Sequence, residues 1–135
     1  MLAQRLCRRL CTTCRTKRVA ADDEISALAD EYCYDTEIKG TDVIAEWRRH
    51  FGGSLMIYET KGCDECRKTG YRGRIGLHEL LVVTPGMRRM MMQHAEASKL
   101  RAAAIRGGMR TLKQDGIEKC LAGYTDIHQV RAVAI

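Results

Sequence analysis

Two short stretches decide the reading of this chain, Cys11-Thr12-Thr13-Cys14 and Lys61-Gly62-Cys63-Asp64-Glu65-Cys66. In each, two thiols stand two residues apart, the spacing that lets one tight turn present both sulfurs to a single ion. Two such pairs complete a tetrahedral four-thiolate site of the kind that suits zinc. The pairs are separated by 48 residues, more than in a compact zinc ribbon, so the intervening chain must form an excursion that returns the second knuckle to the first. Cys11, Cys14, Cys63 and Cys66 are therefore the expected metal ligands. Gly62 supplies the backbone freedom of a knuckle turn, and Lys17, Arg18 and Lys61 are available to offset the negative charge of a metal tetrathiolate. Four thiolates leave no open coordination position, so the expected ion is one structural zinc and not a catalytic one. A redox dithiol is the competing reading of a lone C-x-x-C, but it is expected beside a βαβ pattern, which this sequence lacks.

Outward from the knuckles, periodicity assigns the elements. Leu2, Leu6 and Leu10 recur at a helical interval and predict a short opening helix that stops at Cys11. Ile25, Leu28, Ala29, Tyr32 and Cys33 form one face of an amphipathic helix whose first turn carries Asp22, Asp23 and Glu24, where the helix dipole favours acids. A second helix is expected behind Thr41 as N-cap, through Val43, Ile44 and Trp47, ending at Gly52-Gly53. Leu55 to Tyr58 and Tyr71 to Val83 read as two strands of a small antiparallel sheet flanking the second cysteine turn. Thr84-Pro85 is a helix start, and helices follow over Met87–His94, Glu96–Arg106, Leu112–Ala122 and, behind Thr125, Asp126–Ala134. The expected fold class is α+β: a tetracysteine subdomain of short antiparallel strands and helices over 1–83, then a small helical bundle over 84–135.

Composition bounds the function. The 135 residues are 45% hydrophobic and 30% charged, with 12 Gly and 1 Pro, which describes a globular chain and not a disordered or collagen-like one. No apolar run approaches the roughly 18 to 20 residues that cross a bilayer. Aromatics at 5% give little material for a base-stacking surface. Seven cysteines, an odd number, argue against a closed disulfide framework, and no secretory signal points to an oxidising compartment. Residues 1–18 carry six bases and no acid, a composition that resembles a mitochondrial presequence, but two cysteines at ligand spacing fall inside it. The net charge of +6 divides into +6 over 1–18, −8 over 19–46 and +8 over 47–135. The basic ends motivate one alternative function, a zinc-ribbon nucleic-acid-binding module.

Of the remaining thiols, Cys33 and Cys120 lie on apolar faces and are expected to be buried small hydrophobes. Cys7 precedes Cys11 by four residues; a structural role is expected for it too, with a spare ligand for a damaged knuckle as the alternative. His50, His78, His94 and His128 lack a ligand partner at i+4 and read as ordinary polar residues. No G-x-x-x-x-G-K-[ST] is present, nor a G-x-S-x-G or an H-E-x-x-H, so no catalytic residue is assigned and the chain is not expected to hydrolyse a nucleotide by itself.

Three strings extend the reading: Ala3-Gln4-Arg5-Leu6-x-Arg8-x-Leu10-Cys11-x-x-Cys14; Gly62-Cys63-x-x-Cys66-x-x-Thr69-Gly70-Tyr71-x-Gly73-Arg74-x-Gly76-x-x-Glu79-Leu80-Leu81; and Gly108-Met109-x-Thr111-Leu112-x-x-Asp115-Gly116-x-x-Lys119 with Gly123-x-Thr125. Together they closely resemble the C-terminal part of the bacterial type II secretion and type IV pilus assembly ATPases, the GspE/PilB family. The resemblance implies a zinc-binding tetracysteine subdomain after an ATPase core, in a cytoplasmic hexamer docked on inner-membrane secretion or pilus platform proteins. It places the family's Walker A lysine and Walker B acid before Met1, so ATP and magnesium belong to that core, and partners would be the core and neighbouring subunits. Gln4 and Arg5 match the core-proximal segment, and Arg72 and Arg74 are available to a neighbouring subunit or acidic partner.

Overall fold

In the computed structural model, which describes residues 1–134, the order is β1 (Leu2–Leu10), β2 (Arg15–Val19), α1 (Asp22–Cys33), α2 (Gly40–Phe51), β3 (Met56–Thr60), β4 (Tyr71–Leu80), α3 (Pro85–Met92), α4 (Ala97–Arg106), α5 (Leu112–Ala122) and α6 (Ile127–Val133). The expected α+β class holds.

The opening segment is a strand and not the expected helix. β1 pairs antiparallel with β4, from Leu2 opposite Leu80 to Leu10 opposite Tyr71, with a register shift between Arg8 and Leu10. The shift sets Leu10 apart from the other two leucines. It lets Cys7 and Leu10, three residues apart, both turn into the interior, while Leu2 and Leu6 stay 63% and 51% exposed. The two strands read around the second knuckle exist but do not pair with each other. β3 pairs with β2, an element the sequence reading did not find, from Arg15 opposite Thr60 to Val19 opposite Met56. Two long segments, 2–19 and 56–80, therefore run antiparallel as a pair of two-stranded ribbons. Each ribbon ends at the knuckles.

The excursion between the segments closes on itself, with the Ala20 amide donating to the Leu55 carbonyl (2.8 Å). It consists of α1 and α2, packed with Tyr32 edge-on to Trp47 at 5.4 Å between ring centres. Lys39, and not Thr41, occupies the N-cap of α2. Asp126 caps α6, its Oδ1 accepting from the Gln129 amide (2.9 Å), whereas Thr125 is buried and donates its hydroxyl to the Arg8 carbonyl (2.8 Å). Thr84 caps α3 as expected, accepting from the Met87 amide.

α5 lies between two apolar clusters. Ile117 and Leu121 join Ile25, Leu28, Tyr32, Val43, Trp47 and Leu55 in one; Cys7, Leu77, Val130 and Ala134 make the other. The helix fits because it carries Gly116, where a Cβ would lie 2.5 Å from Val130 Cγ1. Its first turn is closed by a capping box, Thr111 Oγ1 accepting from the Gln114 amide (3.1 Å) and Gln114 Oε1 accepting from the Thr111 amide (2.9 Å). The remaining end of the buried Gln114 amide donates to the Tyr32 carbonyl (3.1 Å), which satisfies the group. Both clusters draw on residues before and after position 84.

Candidate metal centre

The ribbons position the thiols. At one edge of the knuckles Leu10 faces Tyr71, and at the other Arg15 faces Thr60, so residues 11–14 and 61–70 must bulge out at the same place. The Cys11 amide donates to the Gly70 carbonyl (2.9 Å) and ties the turns at their base. Thr13 Oγ1 donates to Glu65 Oε2 (2.6 Å) and joins them at the tip, and Arg72 donates to the same carboxylate oxygen (3.1 Å).

Within the second knuckle, the Lys68 amide donates to the Cys63 carbonyl (2.8 Å) and the Thr69 amide and hydroxyl both reach the Cys66 carbonyl (3.1 and 2.6 Å). This path requires positive φ at Arg67 and Lys68, 55° and 64°, a conformation that costs non-glycine residues about 1 kcal/mol or more and persists where surroundings enforce it. Two glycines carry the rest of the turn. Gly62 has φ 85° with a would-be Cβ 2.9 Å from the Lys68 carbonyl oxygen, and Gly70 has φ 81° with a would-be Cβ 2.2 Å from Thr60 Oγ1. Gly62 was foreseeable from its place beside Cys63. Gly70 was not, because its constraint comes from β3.

All four ligand atoms of Cys11, Cys14, Cys63 and Cys66 lie within 4.8 Å of one another. Three of the separations are 3.6 Å (Cys63 to Cys66), 3.7 Å (Cys11 to Cys63) and 3.9 Å (Cys14 to Cys66). A tetrahedron with metal–sulfur bonds of about 2.3 Å has sulfur–sulfur edges of about 3.8 Å. A disulfide needs about 2.05 Å. The sulfurs are thus spaced for an ion at their centre, and the cluster is close enough to hold one.

Backbone amides supply the electrostatics. The Cys63 and Gly70 amides each donate to Cys66 Sγ at 3.2 Å. Burial opposes ionisation of Cys66, but these donors and the neighbouring thiols outweigh it and lower the thiol to about 6. The Cys14 amide, with that of Thr13, outweighs burial at Cys11 and lowers it too. The Cys66 amide favours the Cys63 thiolate, but burial and the hydrogen bonds to Cys66 and Cys11 push Cys63 up to about 11.

The other sequence candidates fall elsewhere. Arg18 does not serve the thiols: it is held by both oxygens of Glu24 (2.6 and 2.7 Å) and by Glu59 (3.0 Å). Cys7 faces Thr125 Oγ1 (3.6 Å) within the apolar cluster, and burial raises its thiol. Cys33 and Cys120 are partly buried beside the two cores, with burial raising each. Among the described residues none of the four histidines joins the thiol cluster. The contribution missed from the sequence is a set of arginine–tyrosine stacks flanking the knuckles, Arg8 on Tyr71 (4.9 Å), Arg9 on Tyr124 (5.3 Å) and Arg15 on Tyr58 (5.1 Å). Arg15 also donates to the Gly123 carbonyl (2.7 Å), which anchors the first knuckle to the end of α5.

The sequence model of a family described as "Type II/IV secretion system protein" matches residues 1–132. Among curated proteins, the "Type IV pilus assembly ATPase PilB" of Myxococcus xanthus is 32% identical over 130 residues, covering 96% of this chain and 20% of its own length. The protein of the same name from Thermus thermophilus is 33% identical over 135 residues, covering 100% and 13%. The "Type II secretion system protein E" of Aeromonas hydrophila is 34% identical over 134 residues, covering 98% and 23%. This chain thus spans about a fifth or less of the first two relatives and under a quarter of the third.

Proposed function

Because this chain belongs to the type II/IV secretion system protein family, we propose that it is a zinc-binding region of a secretion or pilus assembly ATPase, with structural and partner-docking roles. The observation that carries the zinc reading is the sulfur spacing: three of the six separations are 3.6 to 3.9 Å and all lie within 4.8 Å, against the roughly 3.8 Å edge of a zinc tetrathiolate. Cys11, Cys14, Cys63 and Cys66 would hold one ion, and a closed four-sulfur shell supplies structure without a site for substrate or water. The ion fastens the ribbon β1–β4 to the ribbon β2–β3 at their shared end.

By itself the chain carries no nucleotide hydrolysis, consistent with the lack of a phosphate-cradling lysine motif in its sequence. Relatives named as ATPases supply that activity in their longer chains, and this region would transmit or position force through contacts with the ATPase core, with neighbouring subunits of a hexamer and with inner-membrane platform proteins, on the cytoplasmic side. Among the described residues no helix is long and apolar enough to cross a membrane.

Metal analysis of the purified chain, with thiol titration before and after chelation, tests the reading. About one zinc per chain and four thiols unmasked together are expected. A folded protein without metal, or a disulfide that cycles with thioredoxin, would overturn it.

A further inference from the structure

α3 and α4 stand apart from the rest of the packing. They pack chiefly on each other, and neither contributes a residue to the two apolar clusters that hold α1, α2, α5, α6 and the ribbons together. Yet the pair is strongly apolar. Met87 and Ala104 are buried between the helices, and a groove opens on each side of them. One, of about 300 Å³, runs past Leu2, Met91 and Leu100. The other, of about 760 Å³, runs past Leu80, Val82 and Met90. Both are lined by Leu81, Met87, Ala104 and Met109, so they are two halves of one apolar surface.

The surface is open: Leu2, Leu80, Val82 and Met91 are 63%, 57%, 68% and 38% exposed. Contiguous exposed apolar surface of this kind marks interaction sites, and methionine suits them because its unbranched, polarisable side chain conforms to a partner. The charge on the helix pair is mostly basic, although Glu79 lines the smaller groove and Arg88, Arg89 and Lys99 stand outside both linings. Residues 84–110 carry six Arg and Lys against Glu96 alone. Three of the six are engaged, Arg101 with Asp35, Arg106 with Glu37 and Arg110 with Glu118, while Arg88, Arg89 and Lys99 have no carboxylate partner among the described residues. Two of the engaged arginines show that α4 already accepts carboxylates at its surface.

We propose that the α3–α4 pair, with the outer ends of β1 and β4, is a docking surface for an amphipathic helix of a partner protein whose polar face is acidic. The apolar side of that helix lies along the methionine grooves, and its carboxylates meet Arg88, Arg89 and Lys99. An i, i+3, i+4, i+7 apolar stripe flanked by acids supplies both halves of the match. The proposal rests on the partner-docking part of the reading above and is independent of the zinc.

The test uses the full chain with its metal content verified, and a labelled helical peptide of about 16 residues with leucine at i, i+3, i+4, i+7 spacing and glutamate elsewhere. Saturable binding is expected, weakened several-fold as salt is raised, and weakened about tenfold or more by the M90E/M91E double variant. A lysine-for-glutamate peptide should not bind, and R49E, on α2 away from the grooves, should leave affinity unchanged. Equal binding to the wild type and M90E/M91E, or no binding, overturns the proposal. So does binding of phosphatidylserine vesicles without binding of the peptide, which would assign the surface to a membrane. Zinc content and far-UV circular dichroism of each variant report separately on the fold and on the metal reading.

Discussion

Thr13 and Glu65 meet across the two knuckles, the threonine hydroxyl donating to the carboxylate at 2.6 Å, 52 residues apart in the chain. The contact is exposed and independent of sulfur, so it holds the turns in register before and after any ion binds. Thr13→Ala should therefore leave the fold intact, weaken it by about 0.5–1 kcal/mol, and speed the release of metal to a chelator a few-fold. Stopped-flow chelation with a chromogenic zinc indicator reads that rate; an unchanged rate would show that the sulfurs alone align the turns.

The thiols separate into two groups with different consequences. Cys63→Ser should abolish metal retention and, because structural zinc sites contribute on the order of 10 kcal/mol, leave a chain without a cooperative thermal transition. Cys7→Ala removes a buried sulfur that is only packed, and should lower stability by about 1–2 kcal/mol with one metal per chain retained. Calorimetry beside metal analysis distinguishes the two, and loss of metal in Cys7→Ala would place that thiol among the ligands.

Gly116→Ala should destabilise the chain by about 1–3 kcal/mol, because its methyl would lie 2.5 Å from Val130 Cγ1 and push α5 away from α6. Pairing it with Val130→Ala should recover part of the loss, since the two changes share one space. Chemical denaturation of the single and double variants measures the coupling, and additive losses would contradict the close approach.

Glu31 accepts from Arg131 (2.9 Å) and Lys113 (2.9 Å), and these cations, Arg131 foremost, hold its carboxyl below the ordinary range against the opposing effect of burial. A folded pKa below the unfolded one means stability that is present above about 4.5 and lost as pH falls through the folded value. The difference in melting temperature between wild type and Glu31→Gln, corresponding to about 1 kcal/mol at neutral pH, should shrink on acidification below that point. A difference independent of pH would assign the effect to packing.

The sequence showed the four clustered cysteines and all six helices, because ligand spacing and a 3.6-residue apolar period are local signals. Leu112–Ala122 matches the structure to the residue, and the helix read from Asp22 starts there. What it hid was pairing. Leu2, Leu6 and Leu10 share a helical interval, yet only Leu10 is buried, because the register shift between Arg8 and Leu10 turns it inward while Leu2 and Leu6 face out. β2, Arg-Thr-Lys-Arg-Val, is mostly exposed and carries no alternating pattern; it is a strand because Thr60 to Met56 lie beside it. The place of α5 between both apolar clusters was likewise invisible, since Gly116 reads as a helix weakness until Val130 is brought against it.

The excursion that begins at Ala20 and returns at Leu55 has a meaning for synthesis. Forty-eight residues separate Cys14 from Cys63, so the first thiol pair emerges from the ribosome roughly 2–10 s before the second at ordinary elongation rates, and the α5 residues that cover the ribbons follow later still. During that interval the first thiol pair is solvent-accessible and half of a site, open to oxidation or to capture by the wrong metal. On the proposed zinc reading, the nascent chain would need reducing surroundings and zinc at the moment the second knuckle arrives.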